Sequence, residues 1–284
     1  MIAVIDIGSN SVRLMLWADG KTILKRILTT RLGAGVQNRC LDPAAMLRSA
    51  EAVASFYNEA KEAGACQVYA FATAAVRSAE NKEEFLRLVK EKCPLDIDVV
   101  AGEREASLAA LGALKKEDGI VIDVGGASSE VVCIKNGARS YAKSFSVGAV
   151  TLREHCKDDE AATEQYLSEL FSGLAPMEGK VYAVGGTATA LACLTLELKE
   201  YDAERVQNCY LSQAELSKLK SKLFSLKVEE RKKLVGMEAA RADVIAGGAA
   251  IIAKIADKIG AEGIYTSDCD NLEGYLYERG LIEV

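Results

Sequence analysis

The sequence predicts an α/β protein built as two related halves. Three observations carry that expectation: strand-like apolar runs alternate with long amphipathic stretches, each half opens on a hairpin pattern, and one eight-residue pattern recurs 117 residues later. Val4-Ile5-Asp6-Ile7-Gly8-Ser9-Asn10-Ser11 lies over Val121-Ile122-Asp123-Val124-Gly125-Gly126-Ala127-Ser128. Both copies read apolar, apolar, Asp, apolar, Gly, two small residues, Ser.

In chain order, the apolar, β-branched run through Ile7 is followed by VRLMLW, so a hairpin turns through Gly8 to Ser11. Asp42 then caps a long amphipathic helix that has Pro43 at its first position and Gly64 at its close. CQVYAFATAAVR reads as a strand running into a loop, NKEEFLRLVKEKC as a helix capped by Asn81, DIDVVAG as a strand, and GEREASLAALGALKK as a helix. The polar break from Lys115 to Gly119 marks the expected boundary, giving domains 1–116 and 117–284. Beyond it, IVIDVGG, SSEVVCI and ARSYAKSFSVG read as three strands, with helical residues around 163–173. KVYAVGG is a strand feeding a helix from Thr187 onward. LSQAELSKLKSKLFSL and ADVIAGGAAIIAKIADKIG are helical by period, and GIYTSD is a last strand. Hairpins at the head of each half set this order apart from a simple doubly wound sheet.

Composition narrows the chemistry. Half of the 284 residues are hydrophobic, enough for a real core, and 41 acids against 35 bases argue against a nucleic-acid partner bound through a basic surface. The longest apolar stretch, Val244 to Ala253, is about half of the ~20 residues a membrane span needs, and MIAVIDIG lacks the basic start of a signal peptide. A cytoplasmic protein with no membrane partner is expected. The eight cysteines are scattered without a CxxC pair and read as buried reduced thiols, while His155, the only histidine, sits in a polar stretch and reads as a surface residue. Chemistry must therefore run on carboxylates and backbone amides, with or without a hard metal ion.

A single Asp-x-Gly turn ends many ordinary strands; its recurrence at the head of each half is what points to a pair. Each copy puts a carboxylate near the end of a buried strand, before a turn small enough for its amides to approach phosphate oxygens. Two such turns, each with an Asp, suit a phosphate chain with Mg²⁺, which prefers carboxylate, water and phosphate oxygens. Gly185-Gly186-Thr187 adds a strand–glycine–helix junction whose free amides can face an anion, with Thr187 able to cap or to bind. It is neither a Walker loop nor a dinucleotide fingerprint.

Together these residues resemble the exopolyphosphatase/guanosine pentaphosphate phosphatase (Ppx/GppA) family. The ordered segments are Ile5 to Leu14, Ala72 to Arg77 with Ala79 and Asn81, Gly102 to Ala106, Asp123 to Glu130, and Gly185 to Thr187. Arg241 to Ile245 with Gly248-Ala249, and Leu272-Glu273-Gly274, support them. The resemblance implies an actin-like fold of the sugar-kinase and heat-shock ATPase superfamily, two ribonuclease-H-like domains flanking a cleft. It further implies a Mg²⁺-dependent hydrolase releasing terminal phosphate from inorganic polyphosphate or guanosine pentaphosphate. A non-hydrolytic sensor of the same ligands is the alternative, and a homodimer is compatible with the family.

Position by position, the resemblance makes Glu105 the acid that deprotonates water, Asp123 and Glu130 catalytic carboxylates, and Asp6, Asp123 and Glu130 the residues associated with Mg²⁺. Ser9, Asn10, Ser11 and Arg13 form the first phosphate loop, Gly125, Gly126 and Ser128 the second, with Arg77, Gly185, Gly186 and Thr187 as further phosphate contacts. Two residues depart from the pattern: Arg104 replaces the first of two paired acids, and Ala127 a third glycine. Longer members carry a carboxy-terminal domain with histidine-aspartate motifs, expected to be absent here.

Overall fold

A computed structural model describes residues 1–34 and 39–283. The chain divides into two units, residues 1–105 with 275–284, and residues 106–274. In the first, β1 (Ile2–Ile7), β2 (Ser11–Ala18), β3 (Lys21–Thr29), β4 (Gln67–Ala72) and β5 (Ile97–Val99) form one sheet in the order β3-β2-β1-β4-β5. The first three strands are an antiparallel meander, and β4 and β5 join in parallel.

The second unit repeats the plan. β6 (Gly119–Val124), β7 (Ser129–Lys135) and β8 (Ala138–Phe145) form the meander, and β9 (Val181–Val184) pairs in parallel with β6. β11 (Gly263–Thr266) and β10 (Tyr210–Ser212) complete the order β10-β11-β9-β6-β7-β8. The repeat survives as geometry: β6 begins at residue 119 against 2 for β1, and β8 at 138 against 21 for β3, both 117 residues on. Parallel pairing needs crossovers, and helices supply them.

Each unit buries its own core. Ile5, Ile7 and Leu14 of the first sheet pack with Val53, Phe56 and Phe85 from the helices. In the second, Ile122 and Val131 pack with Phe171, Leu191, Ile251 and Ile255. The helix Ile245–Lys258 buries eleven residues, which explains its near-continuous apolar run. No helix among the described residues is long and apolar enough to cross a membrane. The eight cysteines are free thiols and His155 is exposed, as expected, but only Cys93, Cys133, Cys156 and Cys193 are buried; Cys209 and Cys269 are half-buried, and Cys40 and Cys66 lie on the surface, so the expectation of buried thiols holds for four.

The units part earlier than the expected 116/117 boundary, inside the helix Gly102–Leu114. From Ala106 onward this helix lays Ala106, Ala109, Ala110 and Leu114 against Val121, Val132 and Val184, so it belongs to the second core. Residues 275–283 return to the first unit, where Tyr275 stacks on Phe71 with ring centroids 4.8 Å apart. The polar stretch at 115–118 is only the turn into β6, with Lys115 left-handed at φ 56°. Other elements also differ from expectation. β4 runs into a short helix, Ala74–Ser78, where a loop was expected. Asn81 does not cap the helix Lys82–Lys92; its amide group instead exchanges hydrogen bonds with the Leu41 backbone at 2.8 and 3.0 Å. β10 and the helix Asn271–Glu278 are too short or too polar to show by periodicity.

Within the second unit, a Cβ on Gly112 would lie 1.9 Å from the Asp270 carbonyl oxygen, and one on Gly274 would lie 1.9 Å from that of Leu108. Such spacing admits hydrogen alone. Gly274→Ala should therefore destabilise the protein by about 1–3 kcal/mol, the usual cost of overpacking, read from chemical denaturation. Unchanged stability would show that these backbones do not approach so closely.

Candidate functional site

The two Asp-x-Gly turns close in the same way. The Gly8 amide donates to Ser11 O and the Gly125 amide to Ser128 O, both at 3.0 Å. Gly33 N donates to Ser9 O at 2.7 Å, and its counterpart 117 residues on, Val150 N, donates to Gly126 O at 2.9 Å. The turns are thus fastened from outside, through their carbonyls, by the chain that follows each meander. Asn10 O accepts from Thr30 N and Arg31 N, and Gly125 O from Ala149 N. Ser9, Ser11 and Ser128 are buried.

The residue seven places beyond each Asp is its partner across the hairpin, Arg13 for Asp6 and Glu130 for Asp123. In the first unit this gives an ion pair. Arg13 donates to Asp6 Oδ2 from Nη2 at 2.5 Å and from Nε at 3.0 Å. Asp6, expected among the Mg²⁺ residues, has that oxygen bonded to Arg13 of its own unit.

Glu105 lies in the first turn of the helix Gly102–Leu114 and is 6% exposed. Arg77 Nη1 donates to its Oε2 at 2.6 Å and to Val100 O at 3.1 Å, which joins two residues expected in the site. Burial pushes the Glu105 carboxyl above its ordinary value. The Arg77 charge and hydrogen bond oppose that rise, as does a hydrogen bond from Thr73, while the Asp6 charge adds to it.

In the second unit Asp123 and Glu130 face each other and are 6% and 1% exposed. Both are held by uncharged donors. Asn271 Nδ2 donates to Asp123 Oδ2 at 3.0 Å, and Ser144 Oγ to Glu130 Oε1 at 2.7 Å. Gly185 explains its own identity: it sits at φ 80°, and a Cβ there would lie 2.8 Å from Asp123 Oδ1. Thr187 does not cap the helix Gly185–Thr195. Its hydroxyl donates to the Val124 carbonyl at 3.4 Å. Gly185, Gly186 and Thr187 keep the first-turn amides of that helix.

Both departures from the family pattern are accommodated. Arg104 donates to Glu278 at 2.7 and 3.0 Å and to Asp98 at 2.9 Å, so it is engaged with the carboxy-terminal helix. Ala127 has no positive φ, so its methyl does not force the turn into a strained conformation. Three contributors had no distinct sequence signal: Asn271, Ser144 and Arg241. The Arg241 guanidinium lies 2.2 Å from where a Cβ of Gly186 would be, which brings a cation to the third glycine turn. Its segment was noticed only as supporting resemblance.

Two ribonuclease-H-like units, each with a fastened Asp-x-Gly turn, define an α/β protein of the actin-like class. The chain belongs to the Ppx/GppA phosphatase family, whose sequence profile matches residues 11–282. It is 27% identical to exopolyphosphatase 2 of Mycobacterium tuberculosis, over 96% of this chain and 96% of that protein. It is also 27% identical to a guanosine-5'-triphosphate,3'-diphosphate pyrophosphatase of Aeromonas hydrophila, over 98% of this chain but 59% of that protein's length. Among solved structures, the Ppx/GppA family member of Aquifex aeolicus superposes with a TM-score of 0.80 at 31% identity, covering 99% of this chain and 97% of that one.

The Glu105 environment sets a pH dependence. Its folded carboxyl binds a proton more tightly than the unfolded one, so it contributes stability that is fully present below the unfolded value and lost as pH rises through the folded value. A carboxyl titration followed by infrared difference against Glu105→Gln should have its midpoint above the ordinary 4.5. Arg77→Met should move it higher still. A midpoint at or below 4.5 in the parent would mean that Arg77 outweighs burial.

Proposed function

We propose that the protein is a cytoplasmic Mg²⁺-dependent phosphoanhydride hydrolase that releases terminal phosphate from inorganic polyphosphate or guanosine pentaphosphate, with no nucleic-acid partner. The observation that carries this reading is Glu105, a buried carboxylate with a raised proton affinity, held in place by an arginine. That is the form a general base takes. The named activities of the mycobacterial and Aeromonas relatives support the substrate class.

In this reading the Gly8–Ser11 and Gly125–Ser128 turns and the amides at Gly185–Thr187 receive phosphate oxygens. Asp6 aims Arg13, and Arg13 and Arg77 offset negative charge on the transferred group. Glu105 takes a proton from water as the water oxygen bonds to the terminal phosphorus and the bridging P–O bond breaks. Orthophosphate and a chain shorter by one phosphate result.

The second unit's donor set suits a hard cation. Asp123 and Glu130 are buried anions side by side and supply oxygen only, as Mg²⁺ requires. No group of three or more His, Cys, Asp or Glu among the described residues could hold a metal as a closed cage. Mg²⁺ is commonly held by one or two carboxylates, with water and phosphate completing its shell, so two suffice. When bound by Asp123 and Glu130, Mg²⁺ would neutralise charge on the phosphate oxygens.

Phosphate release from polyphosphate and guanosine pentaphosphate tests the proposal. Glu105→Gln should fold and bind substrate while its turnover falls by about 10²–10⁴-fold, the usual contribution of a general base. Parental turnover in that variant would remove Glu105 from the role, and tight binding without turnover in the parent would make the protein a sensor. Asp123→Asn and Glu130→Gln should each raise the Mg²⁺ concentration needed for half-maximal rate. Full activity of the parent in excess chelator would exclude the metal.

A further inference from the structure

The side chain that fixes Asp123 comes from a part of the chain with no apparent sequence signal. Asn271 opens the helix Asn271–Glu278, is 4% exposed, and donates from Nδ2 to Asp123 Oδ2 at 3.0 Å. The other half of its amide is unsatisfied: Asn271 Oδ1 is buried with no hydrogen-bond partner among the described residues. A buried acceptor without a donor is costly, because it has given up water for nothing in return. The placement is also tightly enforced, because the neighbouring backbone at Asp270 lies against Gly112 with room for hydrogen only.

The two ends of this amide ask for different partners. Nδ2 requires an acceptor and has the carboxylate. Oδ1 requires a donor, and no group among the described residues supplies one. The missing partner is therefore a group carrying a proton or a positive charge, beside a carboxylate pair that suits a hard cation. A water of the cation's hydration shell meets both conditions, because it is held by the ion and donates outward.

We propose that Asn271 is a positioning residue for the cation half of the site, orienting Asp123 through Nδ2 and accepting through Oδ1 from a water bound to the divalent ion. This rests on the reading of Asp123 and Glu130 as the cation-holding pair. It adds a third, neutral member that does not ligate the ion itself. Neutrality is useful here, since a third anion beside two buried carboxylates would raise the cost of the empty state.

The test uses the full chain without substrate and reads Mn²⁺ affinity by calorimetry, with circular dichroism to confirm folding. Asn271→Leu keeps the side chain's branched shape, with bulkier methyl ends, and removes both hydrogen-bonding groups, and it should weaken Mn²⁺ binding about tenfold or more, as loss of an outer-shell partner does. Should that variant fail to fold, Asn271→Asp is the second probe. It keeps the shape but sets a carboxylate against Asp123, so added Mn²⁺ should raise its melting temperature more than it raises the parent's. An Asn271→Leu affinity within twofold of the parent, with binding lost in Asp123→Asn, would overturn the role of Asn271 alone. An equal Mn²⁺ shift in Asn271→Asp and parent would do the same. Absence of Mn²⁺ binding in the parent would overturn both this proposal and the metal reading beneath it.

Discussion

Everything chemical in this protein hangs on one geometrical constraint, the tight closure of a β-hairpin just after an aspartate. Because the turn is short, the residue seven places on is forced to stand opposite that aspartate in the register. What occupies the opposite position then decides what each unit can do. Arginine at 13 neutralises Asp6 internally, leaving a guanidinium aimed by a carboxylate. Glutamate at 130 instead sets a second buried carboxyl opposite Asp123. One duplicated scaffold thus faces its aspartate with a base in one unit and with an acid in the other. Both pairs stand beside a turn closed by the same glycine-to-serine hydrogen bond.

The elements most legible in the sequence were those whose cause is local. The repeated hairpins announce themselves by apolar alternation and a glycine turn, and the helix Pro43–Glu62 by Asp42, whose side chain caps Ala45 N. The unit boundary was not legible, because it depends on what the helix Gly102–Leu114 packs against and not on its composition. Thr187 shows the same limit in the site: a threonine opening a helix is a reasonable cap or anion donor, yet here it donates to a carbonyl on the neighbouring strand. Asn271 is the clearest case. It meets Asp123 across 148 residues of chain, and no spacing rule connects them.

Arg104 illustrates how a departure from a family pattern can be absorbed. Taken alone, an arginine in place of an acid next to Glu105 suggests a changed active site. The structure turns it to the helix that ends the chain, where Glu278 takes two of its nitrogens and Asp98 a third. Burial alone would raise the Asp98 carboxyl, but hydrogen bonds from Arg104, Tyr275 and Arg279 bring it below its ordinary value. The same contacts bind the tail to the first unit. Tyr275 stacks on Phe71, and its hydroxyl, pushed up to about 12 by burial and the Asp98 charge, stays protonated as a donor. The substitution therefore reads as part of a structural network, and it leaves Glu105 with its own partner, Arg77.

A protein carrying a net charge of −6 has no general attraction for anions, so any anion it binds must be held by local contacts. Both arginines expected to meet phosphate are bound to carboxylates, Arg13 to Asp6 and Arg77 to Glu105. Such pairs place a cation accurately but cancel much of its long-range field, so they discriminate by fit at contact distance and contribute little to attraction from afar. Backbone amides add to that selectivity, since they reward an oxygen at hydrogen-bond distance and carry no net charge. Under the proposed function, recognition built this way would act on the few phosphates at the reacting end of a substrate. It contrasts with the extended basic surfaces that hold nucleic acid along its length, whose affinity comes from counterion release over many contacts. The acidic composition and the paired arginines thus point the same way, toward discrimination at contact distance and away from an extended polyanion track.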